Sequence, residues 1–246
     1  MDLQVKEQIE IDYWKNSPTE KPESNAIDNI VNKITDAPAL LDCLRQYAEV
    51  FSNSRTVLEL GAGQGWASCI VKRCYPQARV IATDISEFAL ASLHKWEHIF
   101  EVKVDASRAC RSYEIPEPDA SVSCIFCFAS AHHFVAHRRT LEEVFRVLEP
   151  GGHCFYLYEP SCPAYIHRIA KWRVNRKRPE VPEDVLIHER IKELAQTAGL
   201  RCSLDFYPSI LKRGPVETVY YFGLRWFPFL QHLLPCTINY HFSKRS

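Results

Sequence analysis

The first chemical signal is a seven-residue run, Glu59-Leu60-Gly61-Ala62-Gly63-Gln64-Gly65, between an apolar stretch and a helix-forming one. Glycines in such a loop let the backbone turn tightly and approach a ligand with no Cβ in the way. The spacing departs from the dinucleotide fingerprint G-x-G-x-x-G, because the third glycine comes one residue early and Trp66 follows it. The acid ahead of the loop would repel a pyrophosphate and suits a cationic ligand. Asp84, 19 residues beyond Gly65, can take both hydroxyls of a ribose. Asp105, read as the end of a third strand, can accept from the exocyclic amine of adenine.

Two histidines and one more acid supply the other half of a reaction. His132 and His133 follow a run without charge, and Glu159 follows a second such run. Histidine is the natural base for a hydroxyl acceptor near neutral pH. His132 is expected in that role first and His133 second, with Glu159 orienting or deprotonating the acceptor. Histidines bonded to loop backbone and a solvated Glu159 are the structural alternatives, and both stay open here. No ligand set elsewhere matches His132, His133 and His137, so no metal is expected.

These residues need elements that carry strand ends to one crevice. Apolar runs predict strands at 56–60, 79–84, 100–105, 121–128 and 153–158, with helices at 65–75, 87–97 and 138–148. The alternation implies a parallel sheet covered on both faces. The tail adds a helix at 188–198, a strand at 201–210, an apolar aromatic helix at 215–234 and a last strand at 237–242. Residues 1–50 form a helical cap in this reading. Residues 51–246 form the main domain, with a substrate-covering insertion at about 160–187.

The motifs together resemble a family. V-L-E-L-G-A-G-Q-G at 57–65, T-D at 83–84, V-D-A at 104–106, F-A-S-A-H-H-F at 128–134 and V-L-E-P-G-G at 147–152 look like class I S-adenosylmethionine-dependent methyltransferases. The likeness is to the small-molecule branch often called type 11, over about residues 50–160. It implies a Rossmann-like α/β fold: an open, seven-stranded, mostly parallel sheet with helices on both faces and the last strand antiparallel. It implies S-adenosyl-L-methionine as cofactor. Gly61, Ala62 and Gly63 would pack on its methionine and ribose portions, and Glu59 would face its amino group. Asp84 would bind the ribose hydroxyls, with Ile85 against the adenine. Asp105 would meet the adenine amine, with Ala106 beside it, and Phe128 would lend backbone contacts. Tyr13 and Trp14 would close over the cofactor or anchor the core.

Composition bounds the rest. The 246 residues hold 30 basic and 30 acidic side chains, against the basic excess of a general nucleic-acid binder. Ten cysteines without an N-terminal signal segment read as reduced, buried small residues of a cytoplasmic protein. No run suits a membrane span. Six Lys/Arg and no acid lie between Arg168 and Arg178, which favours an anionic acceptor: a small molecule, a glycan or a lipid-linked glycan. Transfer to oxygen is expected; transfer to carbon or nitrogen, or a non-catalytic binding protein on this fold, are the alternatives. The aromatic segment 215–234 would wall the acceptor pocket, cover the sheet or contact a second copy as a homodimer.

Overall fold

A computed structural model describes residues 3–176 and 183–245. Helices α1 (Leu3–Asn16), α2 (Ile27–Gln46) and α3 (Ala48–Asn53) precede the first strand, β1 (Thr56–Leu60). Then come α4 (Trp66–Cys74), β2 (Arg79–Asp84), α5 (Glu87–Leu90), α6 (Leu93–Phe100) and β3 (Ala106–Ala109). The second half runs β4 (Val122–Phe128), α7 (His137–Val147), β5 (Leu148–Cys162), α8 (His167–Asn175), β6 (Leu186–Ile187) and α9 (His188–Thr197). It closes with β7 (Arg201–Phe206), α10 (Pro215–Trp226) and β8 (Cys236–Ser243). The sheet order is β3-β2-β1-β4-β5-β8-β7, and the two-residue β6 pairs beside β5. Strands β1 to β5 run parallel, while β8 is antiparallel to both β5 and β7. Six of the seven expected strands lie where the sequence places them, the third lies later in the chain, and β6 is an addition too short to be read from periodicity.

β4 is buried at every position, as a central parallel strand must be. Alternate residues feed two cores, one on each face. Cys124 and Phe126 join Phe51 and Phe155 under α2 to α4, whereas Ile125 and Cys127 join Leu141 and Ile191 under α7 and α9. Cys124 and Cys127 therefore face opposite sides, which excludes a shared metal or disulfide for that C-x-x-C. All ten cysteines are free, and seven are buried. No helix among the described residues is long and apolar enough to cross a membrane.

One expectation fails at β3. The chain ladders with β2 from residue 105 onward, not over 100–105, so Ala106 lies beside Ile81 and Ala109 beside Asp84. Asp105 thus stands at the start of its strand, level with Val80, at the opposite end of the sheet from Asp84. Alternating Val102 and Val104 resemble a strand but serve as apolar plugs on the way into it.

A bulge in β5 matters more. Between the pairs Tyr156↔Tyr240 and Glu159↔Ile238, Leu157 and Tyr158 together oppose Asn239 alone. Tyr158 takes φ +60°, and its N–H donates to the buried Asn239 Oδ1 at 2.8 Å instead of to the ladder. A bulge breaks the strict two-residue period and re-aims the side chains beyond it. Leu157 and Tyr158 both pack on the α2-to-α4 side, and Glu159 emerges beside Cys127 on the other face.

Asn239→Leu is expected to leave the Tyr158 N–H without its acceptor. The cost should be about 1–3 kcal/mol, read as a lower urea midpoint. An unchanged midpoint would show that the bulge does not depend on this side chain.

Candidate active site

The C-terminal ends of β1, β2, β4 and β5 open on one cleft of about 930 Å³. It lies where the strand order reverses between β1 and β4, the crevice in which open α/β sheets take ligands. The volume is near the top of the usual ligand range, ~300–1,000 Å³, and leaves room for two ligands.

Three glycines with positive φ form one wall: Gly61 (+68°), Gly63 (+54°) and Gly65 (+81°). Each meets a different element. A Cβ on Gly61 would lie 2.8 Å from Ser130 Oγ, one on Gly63 3.3 Å from the Trp14 ring, and one on Gly65 would overlap Leu93 Cδ1. The loop therefore lies against the histidine loop, α1 and α6 at once, and the positive φ strains any side chain there whatever the space. Ala62 N donates to Thr83 O at 2.8 Å, tying the loop to β2.

Two buried acids face this wall. Asp84 Oδ2 accepts from Gly63 N at 2.8 Å and Oδ1 from Ser86 N at 2.9 Å, and each oxygen keeps a second lone pair. Burial outweighs these bonds and pushes its pKa up to about 6. Glu59 accepts a short bond from Ser68 Oγ, and burial pushes its pKa up to about 8. Both carboxylates gain from a ligand that brings donors or positive charge. Ile85 and Phe128 line the same cleft, with Phe128 stacked on Tyr158 at 5.6 Å between centroids. Asp105 and Ala106 do not. Asp105 Oδ2 accepts from Lys72 Nζ and Val80 N, both at 2.8 Å, at the far end of β3. One residue past Ala109, which is level with Asp84, the Cys110 N–H donates to Asp84 O; Arg111, Ser112 and Tyr113 continue the cleft wall from there.

Opposite the glycines, Glu159 is fully buried at the centre of a converging set of donors. Its carboxylate accepts from the N–H groups of Ser130 (2.9 Å), Ala131 (2.8 Å) and His132 (3.2 Å), and from His132 Nδ1 at 2.8 Å. Burial alone would raise its pKa, but the bonds from His132 and the backbone amides prevail and hold it below the ordinary carboxylate value. Glu159 is thus neither a solvated acid nor an acceptor-side base. It holds the His132 ring with Nδ1 as donor, which leaves Nε2 as the acceptor nitrogen.

His133 differs. Its Nδ1 lies 2.7 Å from Glu10 Oε1 of α1. Burial would lower its pKa, but Glu10 and the charges of Glu183 and Glu159 outweigh that and keep it above the ordinary histidine value. Nitrogen atoms of His132 and His133 and an oxygen of Glu183 lie within 4.8 Å of one another, so the fold supplies a third potential cation ligand that the sequence spacing hides. His137 lies outside that group.

The basic segment is used otherwise than expected. Arg173 reaches the cleft but pairs with Glu217 at 3.4 Å, Lys171 pairs with Asp184 at 2.9 Å, and Arg176 lies over Trp172. Lys177 and Arg178 fall outside the described residues. The cleft cation without a carboxylate partner among the described residues is Arg213. Its guanidinium lies 4.1 Å from the Tyr221 ring centre and donates to Thr237 Oγ1 and Ser209 O. No motif marked Arg213, Glu7 or Glu10, since they reach the cleft from segments remote in sequence.

Residues 58–156 match the family described as "Methyltransferase domain". Among curated proteins the chain is similar to a fatty-acid O-methyltransferase of Mycolicibacterium smegmatis, 25% identical over 166 residues, 68% of this chain and 57% of that one. It is also similar to a demethylmenaquinone methyltransferase of Deinococcus radiodurans, 28% identical over 175 residues, 63% of this chain and 71% of that one. The match thus spans little more than half the length of the fatty-acid enzyme. Among solved structures, geranyl diphosphate C-methyltransferase from Streptomyces coelicolor shares the fold, with a TM-score of 0.70 at 12% identity over 98% of both chains. The glycine loop, the acids facing it and the matched stretch lead to one assignment: residues 58–156 form a methyltransferase domain of the class I S-adenosylmethionine-dependent kind, in the type 11 branch.

Proposed function

We propose that this chain transfers the methyl group of S-adenosylmethionine to an oxygen of a small, anionic acceptor. The observation that carries the reading is the buried Glu159, which fixes the tautomer of His132 at the cleft wall. When bound, the cofactor supplies an electrophilic methyl group on a sulfonium, so the protein's work is alignment, desolvation and management of one proton. The cleft residues fit it. Asp84 offers two free lone pairs to a vicinal diol, and Glu59 offers a buried carboxylate to an ammonium. Gly61 to Gly63 allow close backbone approach, while Ile85 and Phe128 offer apolar contact. Asp105 and Ala106 drop out of the set on position. Arg111 or Ser112, at the cleft edge of β3, are better placed to meet the base of the nucleoside.

On the acceptor side, His132 Nε2 takes the hydroxyl proton as the oxygen gains its methyl group. Glu159 stabilises the imidazolium so formed, a positioning role. His133, held by Glu10 toward its protonated form, is the poorer base and lends positive charge to the site. Arg213 anchors the acceptor's negative group, and Tyr220 and Tyr221 beside it offer flat faces. The two curated relatives act, by their names, on a fatty acid and on demethylmenaquinone, and an oxygen acceptor accords with the first.

Turnover of His132→Ala, followed as S-adenosylhomocysteine release with a panel of carboxylated and phosphorylated hydroxy compounds, should fall by roughly 10²–10⁴-fold. Cofactor affinity should stay intact, and added imidazole should restore part of the rate. Wild-type turnover in this variant would remove the base. A chelator should leave the rate unchanged; loss that a divalent cation reverses would instead make His132, His133 and Glu183 a metal site.

Calorimetric titration of Asp84→Asn with the cofactor should show roughly 10–100-fold weaker binding, the loss of a charged hydrogen-bond acceptor. The same acids set a pH dependence. Their folded-state pKa values lie above the unfolded ones, so the folded chain holds more protons between pH 4.5 and about 8 for Glu59, and between 3.8 and about 6 for Asp84. Their contribution to stability is therefore present at low pH and lost as pH rises through those windows. Cofactor-free Glu59→Gln should lose less melting temperature between pH 5 and 8.5 than the wild type. Parallel curves would show that Glu59 is already satisfied without ligand.

A further inference from the structure

Helix α10 presents its apolar residues to solvent. Val216, Val219, Phe222 and Trp226 recur at helical spacing on its outer face, and Val216 and Trp226 are 80% and 74% exposed. Leu224 is the helix's buried residue, while Tyr220 and Tyr221 turn toward the cleft. The stripe runs on through Phe227 and the 62%-exposed Phe229. Beside it, Tyr165, Ile169 and Trp172 form an exposed stripe at the start of and along α8, with Arg168 and Arg176 on the same face. The stripes are neighbours, because the Tyr165 hydroxyl donates to Leu233 O and Arg173 pairs with Glu217.

A soluble helix normally turns such residues inward, and a contiguous exposed apolar patch marks a contact surface. Its composition indicates what it contacts. Trp, Tyr and Phe interleaved with arginine suit the headgroup boundary of an anionic bilayer, where rings enter the acyl edge and guanidinium groups meet phosphate. A second copy fits less well, since a two-fold contact would set this basic face against itself. We propose that the outer faces of α8 and α10 dock on an anionic phospholipid surface. The inner faces of both helices wall the cleft, so docking brings the acceptor side of the site to the membrane.

Cosedimentation of the full chain with vesicles tests this, with phosphatidylcholine alone set against phosphatidylcholine carrying 30% phosphatidylglycerol. Binding to the anionic vesicles is expected, weaker without phosphatidylglycerol and in high salt. The double variant Trp226→Ala, Phe229→Ala should partition about tenfold less. Arg168→Glu with Arg176→Glu, which leaves the apolar stripe alone, should lose the preference for anionic lipid. Melting temperature and cofactor binding should be unchanged in both. No sedimentation with either vesicle, or binding that neither pair alters, overturns the proposal. So does a dimer in light scattering that Trp226→Ala, Phe229→Ala dissolves. Vesicle binding needs neither cofactor nor acceptor, so it stands or falls apart from methyl transfer.

Discussion

The carboxylate of Glu159 is the group on which the histidine half of the cleft depends. An ionised acid in a fully buried position is tolerable only when donors surround it. Here three consecutive amides, a ring N–H and, more distantly, the Cys127 thiol at 3.9 Å converge on it. Those bonds fold the chain after β4 into the turn that holds His132. The same turn sets Ser130 against Gly61, which has no Cβ to collide with it. The histidine loop and the glycine loop are thereby fixed to each other through one buried charge.

That charge is in place because the sheet is irregular at one point. Strict alternation along β5 would send Glu159 to the α2-to-α4 face, among Phe51, Phe126 and Phe155. The bulge at Leu157–Tyr158 moves it to the face where the histidine loop passes. Asn239 of β8 holds the bulge open with its side-chain amide and is itself held by Cys43 and Gln46 of α2. A dyad at the cleft thus rests on the antiparallel strand β8 and on a helix that precedes the sheet.

The glycine wall is built on opposite terms. Glu59 and Asp84 are buried without enough donors, and their raised pKa values record the cost. A ligand that brought donors to these two acids would recover that stability, a common trade at binding sites. The outer faces of α8 and α10 carry a similar debt in apolar surface, and the walls of the cleft are in this sense unfinished without a partner.

The sequence by itself determined the order of elements, the glycine loop and its acids, and the identity of the histidine pair. These rest on short-range rules: period-two runs for buried strands, φ above zero for glycine, and a charge-free stretch for a central strand. Local signals failed where pairing between remote segments ruled. Val102 and Val104 alternate like a strand, yet the ladder with β2 begins at Asp105 and carries that acid to the wrong end of the sheet. Only the tertiary structure decided that Glu159 turns to His132, because a bulge depends on the partner strand and leaves no period in its own sequence. Only it decided that Arg213, Glu10 and Glu183 meet the cleft and that part of the basic segment faces outward. Those contacts join residues from distant parts of the chain, and nothing in local composition encodes which way a surface helix is turned.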